Sequence, residues 1–251
     1  MKNIKNRGFT LAETMVVLVI FGIVSAIIIP SIYQNYQKQN TIIKLKKAYS
    51  VLNTVTTNFM SNTGCINMDV SCSKIFDIYN SASGNANNKE DAINQFFIEK
   101  SGLKIVKTYN NSSIAPKRLS SDVYDNVFAV RVVSFTADGI GYSFNKITHS
   151  TKDGQYKDAI GVAVFTEPKK IYSGSKELVN GRNIFKFMIY DNFQVQPLVN
   201  GWYNRPLSQY LASGKTSDIY KYCNPEEPDG IIYSGDNCAA RIVYEGWKIN
   251  Y

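Results

Sequence analysis

Glu13 is the residue whose place in the chain most needs a chemical account. It is a carboxylate about one helical turn into a 21-residue apolar run, Phe9 to Ile29, that reads FTLAETMVVLVIFGIVSAIII. A charged group in hydrocarbon is costly and usually marks a partner and a function. No basic side chain follows until Lys38, too far along a helix to help. The nearest positive groups are Arg7 and, if the chain is cut after Gly8, a new α-amino group on Phe9. An ordinary signal peptide has its apolar core before the small residues at the cut. Here the small residue, Gly8, precedes the core, so cleavage there leaves the hydrophobic helix on the mature chain.

Four cysteines form the second set of chemically capable residues. Cys65 and Cys72 are seven apart, and Cys223 and Cys238 fifteen apart. In an exported domain an even count reads as disulfides, with three pairings open, of which the local one, Cys65–Cys72 with Cys223–Cys238, is favoured here. A metal reading is poor, since no CxxC occurs and the single histidine, His149, has no partner at ligand spacing. His149 could act as a general base, but Thr148-His149-Ser150-Thr151 reads as a surface loop. No GxSxG, HExxH, GxxxxGK[ST] or GxGxxG is present, so nothing points to an enzyme. The 17 tyrosines and two tryptophans could form a sugar- or nucleic-acid-binding face, or simply fill a sheet.

The elements that position these residues begin with the apolar run. At about 1.5 Å of rise per residue its helix spans roughly 30 Å, a bilayer's hydrocarbon thickness. Lys2, Lys5 and Arg7 precede it, which keeps that end cytoplasmic and sends everything after Pro30 across the membrane. The chain carries 28 basic and 20 acidic residues, a net charge of +8. Three of those charges lie before Gly8, so the rest of the chain is only mildly basic. Composition, 44% hydrophobic and 19% charged, describes a folded domain.

Arg7-Gly8-Phe9-Thr10-Leu11-Ala12-Glu13 resembles the class III signal of type IV pilins and type II secretion pseudopilins. The resemblance implies that a prepilin peptidase cuts between Gly8 and Phe9 and N-methylates Phe9. Glu13 then becomes the fifth mature residue, and Pro30 takes the family's proline position. Ala12-Glu13-Thr14 departs from the commoner Ile-Glu-Leu wording. Ala137–Ile140, Gly181–Phe185 and the closing Cys238–Tyr251 look like further segments of pilin-like proteins. Some relatives bind calcium through acidic loops. No compact aspartate cluster fits that pattern here, and Asp229 and Asp236 are the best candidates, with a solvated acidic loop as the plainer reading.

Beyond Pro30 a helix is expected to continue to about residue 60. Leu45, Ala48, Leu52, Val55 and Phe59 recur at three- and four-residue spacing, which marks a packing face, with a coiled-coil seam as the alternative. A loop is expected at 80–88, a short helix over Lys89–Lys100, and a loop again at 108–121. Strands are expected over Val127–Phe135, Gly139–Asn145, Ala159–Phe165, Ile184–Tyr190 and Gln194–Leu198, with a hairpin at Ala137-Asp138-Gly139. The tail from Ala239 is expected to return to the sheet or its edge. The predicted organisation is a leader at 1–8, a long helix at 9–60 and an exported domain at 61–251. The class is α+β, a long N-terminal helix on an antiparallel sheet.

The resemblance implies a filament subunit, held in the inner membrane as a single pass with its domain outside, then drawn into a pilus or pseudopilus. Its partners would be the prepilin peptidase, other pilin subunits and an inner-membrane assembly platform. The alternative is a minor pilin acting as a binding module for DNA, a surface or a secretion substrate. An anchored hydrolase is a remote third reading.

Overall fold

The computed structural model describes residues 10–66, 73–82, 86–121, 130–150, 156–167, 169–172, 177–199, 205–214, 217–226 and 233–251. The chain divides into two compact units, Met1–Asn40 and Thr41–Tyr251. Helix α1, Leu11–Thr63, contributes to both.

In the first unit α1 is uncovered. Every described residue from Thr10 to Tyr36 is exposed, including Leu18, Phe21 and Ile27. This is the one helix long and apolar enough to cross a membrane among the described residues. Pro30 sits inside it. Proline has no N–H, so the Ala26 carbonyl loses its usual partner one turn back.

In the second unit the remainder of α1 becomes a core helix. Its buried residues are Thr41, Ile42, Leu45, Ala48, Leu52, Val55, Thr56 and Phe59, which include the five-residue stripe read from the sequence. Three lysines flank that stripe and each finds a separate anchor. The Lys44 ammonium donates to the Thr166 carbonyl at 2.7 Å, Lys46 lies 5.7 Å from the Trp247 ring, and Lys47 pairs with Asp138 at 2.9 Å.

Among the described residues the sheet has seven strands in sequence order, each antiparallel to the next. They are β1 Lys107–Ile114, β2 Val130–Phe135, β3 Gly141–Ser150, β4 Tyr156–Phe165, β5 Ile184–Ile189, β6 Val195–Val199 and the two-residue β7 Arg205–Pro206. The architecture is α+β and pilin-like, as the sequence predicts. Side chains on β4 alternate between two cores. Ile160, Val162 and Val164 join the α1 stripe, while Ala163 and Phe165 join Val133, Phe135, Leu178 and Ile184. Pro206 lies in the terminal strand, where a missing ladder donor does no harm.

Two short helices follow α1: α2 Ser73–Ser81 and α3 Ala86–Ser101. Helix α3 does more than cover the sheet. β2 and β3 share only two residue pairs, Ser134 with Tyr142 and Phe135 with Gly141, whereas β3 and β4 share ten. Where β2 and β3 part, α3 supplies the missing bonds. Glu90 Oε1 accepts from the backbone N–H groups of Arg131 at 2.9 Å and Val132 at 3.1 Å, and from the Ser143 hydroxyl at 3.1 Å. Asn94 donates to the Phe144 carbonyl at 2.6 Å and accepts from its N–H at 2.9 Å. Phe97 then packs 4.6 Å from Phe144 and 5.0 Å from Phe59, tying α3 to sheet and α1 together.

The later connections carry α4 Lys169–Tyr172, α5 Leu207–Ser213, α6 Ser217–Lys221 and α7 Cys238–Tyr244. Four sequence expectations are corrected. The stretch expected as a loop at 108–121 begins with β1; its polar Asn110-Asn111-Ser112-Ser113 suits a strand that, among the described residues, ends the sheet and pairs with β2. The loop expected at 80–88 narrows, because α2 runs to Ser81 and α3 starts at Ala86. His149 lies in β3, paired with Lys157, rather than in a surface loop. Residues 241–244, in the tail expected to return to the sheet or its edge, are helical. Gly246 at φ 73° ends α7 with its N–H on the Val243 carbonyl, and the Trp247 N–H reaches back to Ile242 at 2.7 Å. That paired closure needs a left-handed residue after the helix, which glycine adopts without strain. Residues 127–129 of the strand expected over Val127–Phe135 lie outside the described residues.

Candidate processing and assembly site

At the start of α1 the sequence places Thr10 three residues before Glu13, and the two side chains close on each other. The Thr10 backbone N–H and its hydroxyl each donate to Glu13 Oε2 at 2.8 Å, while the Glu13 N–H donates to the Thr10 hydroxyl at 3.3 Å. This is a capping box, which satisfies donors that a helix start leaves unpaired. An acidic residue in the first turn also suits the positive end of the helix dipole. The Thr14 hydroxyl donates to the Leu11 carbonyl at 2.8 Å, so this polar side chain too is satisfied within the helix. Such local closure is what a segment bound for hydrocarbon requires. One carboxylate oxygen of Glu13, Oε1, makes no hydrogen bond among the described residues. Gly8 and Phe9 lie outside them.

Cys65, Cys223 and Cys238 belong to the second unit. A disulfide joins Cys223 and Cys238, with Cα atoms 4.9 Å apart. Cys65 is buried and disulfide-bonded; Cys72, its expected partner, lies outside the described residues. Two further contacts hold the Cys223–Cys238 loop to β5 and the turn before it, and a third ties Tyr251 to the same turn. Asp236, fully buried, forms an ion pair with buried Lys186 on β5. Gly235, at φ 96°, lies so close to the Asn180 carbonyl that a Cβ there would collide with it. The Tyr251 hydroxyl donates to the Gly181 carbonyl at 2.8 Å, and its burial pushes the phenol well above the usual range.

These contacts revise the plainer reading of Asp236 as part of a solvated acidic loop. Its carboxylate is buried and engaged by Lys186, so it is not presented to solvent. Asp229 lies outside the described residues, and no group of three candidate metal ligands occurs among those described. The sequence reading also missed the Lys186–Asp236 pair and the Glu90 and Asn94 bridges. A lysine in the otherwise apolar IFKFMI of β5 was the available signal for the first; nothing in the helical pattern of α3 marked the second.

A family model describing the prokaryotic N-terminal methylation motif matches residues 3–29. Comparison with curated proteins and with solved structures found no match. The matched residues end one short of Pro30 and contain both halves of the Thr10–Glu13 box on the exposed apolar helix. The chain therefore carries the N-terminal methylation motif typical of type IV pilins and pseudopilins.

Proposed function

We infer that the protein is a pilin-like structural subunit, cut between Gly8 and Phe9 by a prepilin peptidase, methylated on Phe9, and assembled into a pilus or pseudopilus filament. The observation that carries this reading is the methylation motif at residues 3–29, set on a helix with no apolar cover of its own. Before assembly the uncovered segment lies in the inner membrane, with the unit Thr41–Tyr251 outside. In the filament, the equivalent segments of neighbouring subunits replace lipid around it. Glu13 keeps one oxygen on Thr10 and offers the other to the Phe9 amine of a neighbour. Opposite charges so placed attract each other, against the cost of taking both out of water. The pair sets axial register while the apolar surfaces supply adhesion.

The experiment is fractionation of cells expressing the chain beside its assembly genes. Recovery in a sheared, pelletable filament fraction supports the reading. Retention of all processed protein in the membrane fraction would remove the filament role and leave a membrane-anchored binding protein.

A further inference from the structure

Near the disulfide lies a recess of about 370 Å³ lined by Ser217, Tyr220, Lys221, Asn224 and Arg241. Its lining is rich in unspent hydrogen-bond donors. Arg241 uses Nε on Glu245 at 2.9 Å and Nη1 on the Cys223 carbonyl at 2.5 Å. The rings of Tyr220 and Tyr251 lie 5.0 and 5.1 Å from its guanidinium. These contacts fix the guanidinium and leave Nη2 without a hydrogen bond among the described residues. Lys221 is exposed, sits 5.3 Å from the Tyr222 ring, and forms no ion pair with a described residue. The Asn224 side-chain oxygen accepts the Glu226 N–H at 3.1 Å, so its NH₂ remains to donate. The hydroxyls of Ser217 and Tyr220 make no hydrogen bond among the described residues. Asp218 and Glu226 are neighbours in sequence but do not line the recess, and Glu245 is held by Arg241 and Asn250.

We propose that this recess binds a phosphate group. Two cations favour an anion, and charge-assisted bonds to phosphate oxygens are the stronger kind. The donors outnumber the two oxygens of a carboxylate and suit a tetrahedral group that accepts from several directions. The site is also built before the ligand arrives. The disulfide ties the segment bearing Asn224 to α7, which carries Arg241, and the fixed guanidinium needs little further ordering. The group can arrive as free phosphate or a terminal monoester, or as a phosphodiester within an extracellular polymer. The inference stands apart from the filament reading, since a chain that never polymerised would still bind.

The test is titration of the full chain in detergent micelles, followed by backbone amide NMR shifts and by calorimetry. The probes are inorganic phosphate and dimethyl phosphate, with acetate and chloride as comparisons at matched ionic strength. Saturable shifts at residues 217–224 and 241 with inorganic phosphate, weaker or absent with acetate, are expected. Binding of dimethyl phosphate as well assigns the site to a diester; binding of inorganic phosphate alone assigns it to a free or terminal group. Lys221→Ala, an exposed change, is expected to weaken binding about tenfold or more, with Lys248→Ala unchanged. Equal small shifts with every salt, or Lys221→Ala binding as tightly as wild type, would overturn the proposal.

Discussion

Glu13 Oε2 lies 2.8 Å from both the backbone nitrogen and the hydroxyl oxygen of Thr10. Glu13 therefore has a use inside a single chain, as the return half of a helix cap, before any neighbour is present. That separates two roles that a simple alanine change would confuse. Glu13→Gln keeps an oxygen for the Thr10 donors and removes the charge. It is expected to insert, be cleaved and start its helix normally, yet to enter filaments poorly. Thr10→Ala is expected to cost about 0.5–2 kcal/mol at the helix start while leaving the charge in place. The partition of each variant between membrane and sheared filament fractions checks this. Normal incorporation of Glu13→Gln would remove the charge-register mechanism.

The buried Lys186–Asp236 pair is expected to behave asymmetrically. Asp236→Ala removes the carboxylate that faces a buried ammonium, a change of about 3–5 kcal/mol against folding. Lys186→Met together with Asp236→Leu removes both charges and is expected to cost far less. Denaturant unfolding of the three proteins in micelles compares them. A double variant as unstable as Asp236→Ala would show that the loop needs the ion pair itself.

Glu90 ties stability to pH. Burial is the leading influence on its carboxyl and raises it above its ordinary value of 4.5, against the lowering effects of the Arg131 and Val132 N–H groups, Ser143 and the Arg131 charge. The folded state thus holds this proton more tightly than the unfolded chain. The stabilisation is present below pH 4.5 and lost as pH rises through the folded value. Glu90→Gln is expected to abolish that loss, so its stability relative to wild type improves from acid toward neutral pH. Glu90→Ala is expected to destabilise at every pH by about 1–3 kcal/mol per buried N–H left unpaired. Urea unfolding across this range decides it; a Gln-minus-wild-type difference independent of pH contradicts the account.

Disulfide mapping without reduction is expected to return Cys223–Cys238 and Cys65–Cys72. Removing the first pair as Cys223→Ser with Cys238→Ser is expected to cost about 3 kcal/mol, the loop entropy of a 15-residue closure. It should also loosen Asp236 and Arg241, which flank Cys238. Free thiols at Cys223 and Cys238 on protein exported to an oxidising compartment would contradict the pairing.

Much of this fold was legible because its signals are local. The Leu45–Phe59 stripe recurs at helical spacing, Ala137-Asp138-Gly139 carries turn residues between two strands, and Ala159–Phe165 is an unbroken apolar run that is buried throughout. What stayed hidden was decided by tertiary context. β1 is polar because a terminal strand needs few apolar contacts, and its Asn-Asn-Ser-Ser run carries the composition of a turn. Arg241-Ile-Val-Tyr has β-prone residues, yet Cys238 and Gly246 bracket it as a helix. Glu90 and Asn94 sit one turn apart on α3 like ordinary surface residues. Only the parting of β2 and β3 gives them work. At the N-terminal site Gly8 and Phe9 were named through the resemblance and Glu13 by its place in the apolar run, while Thr10 was overlooked because its role is local hydrogen bonding.

The central claim is that the apolar helix belongs to a processed subunit, and the N-terminus of the exported protein tests it most directly. Mass spectrometry of the N-terminal peptide, from protein purified out of a host with its own prepilin peptidase, is expected to show Phe9 as the first residue, heavier by one methyl group. A chain still beginning at Met1, or one cut after the apolar run near Ala26, would contradict the account.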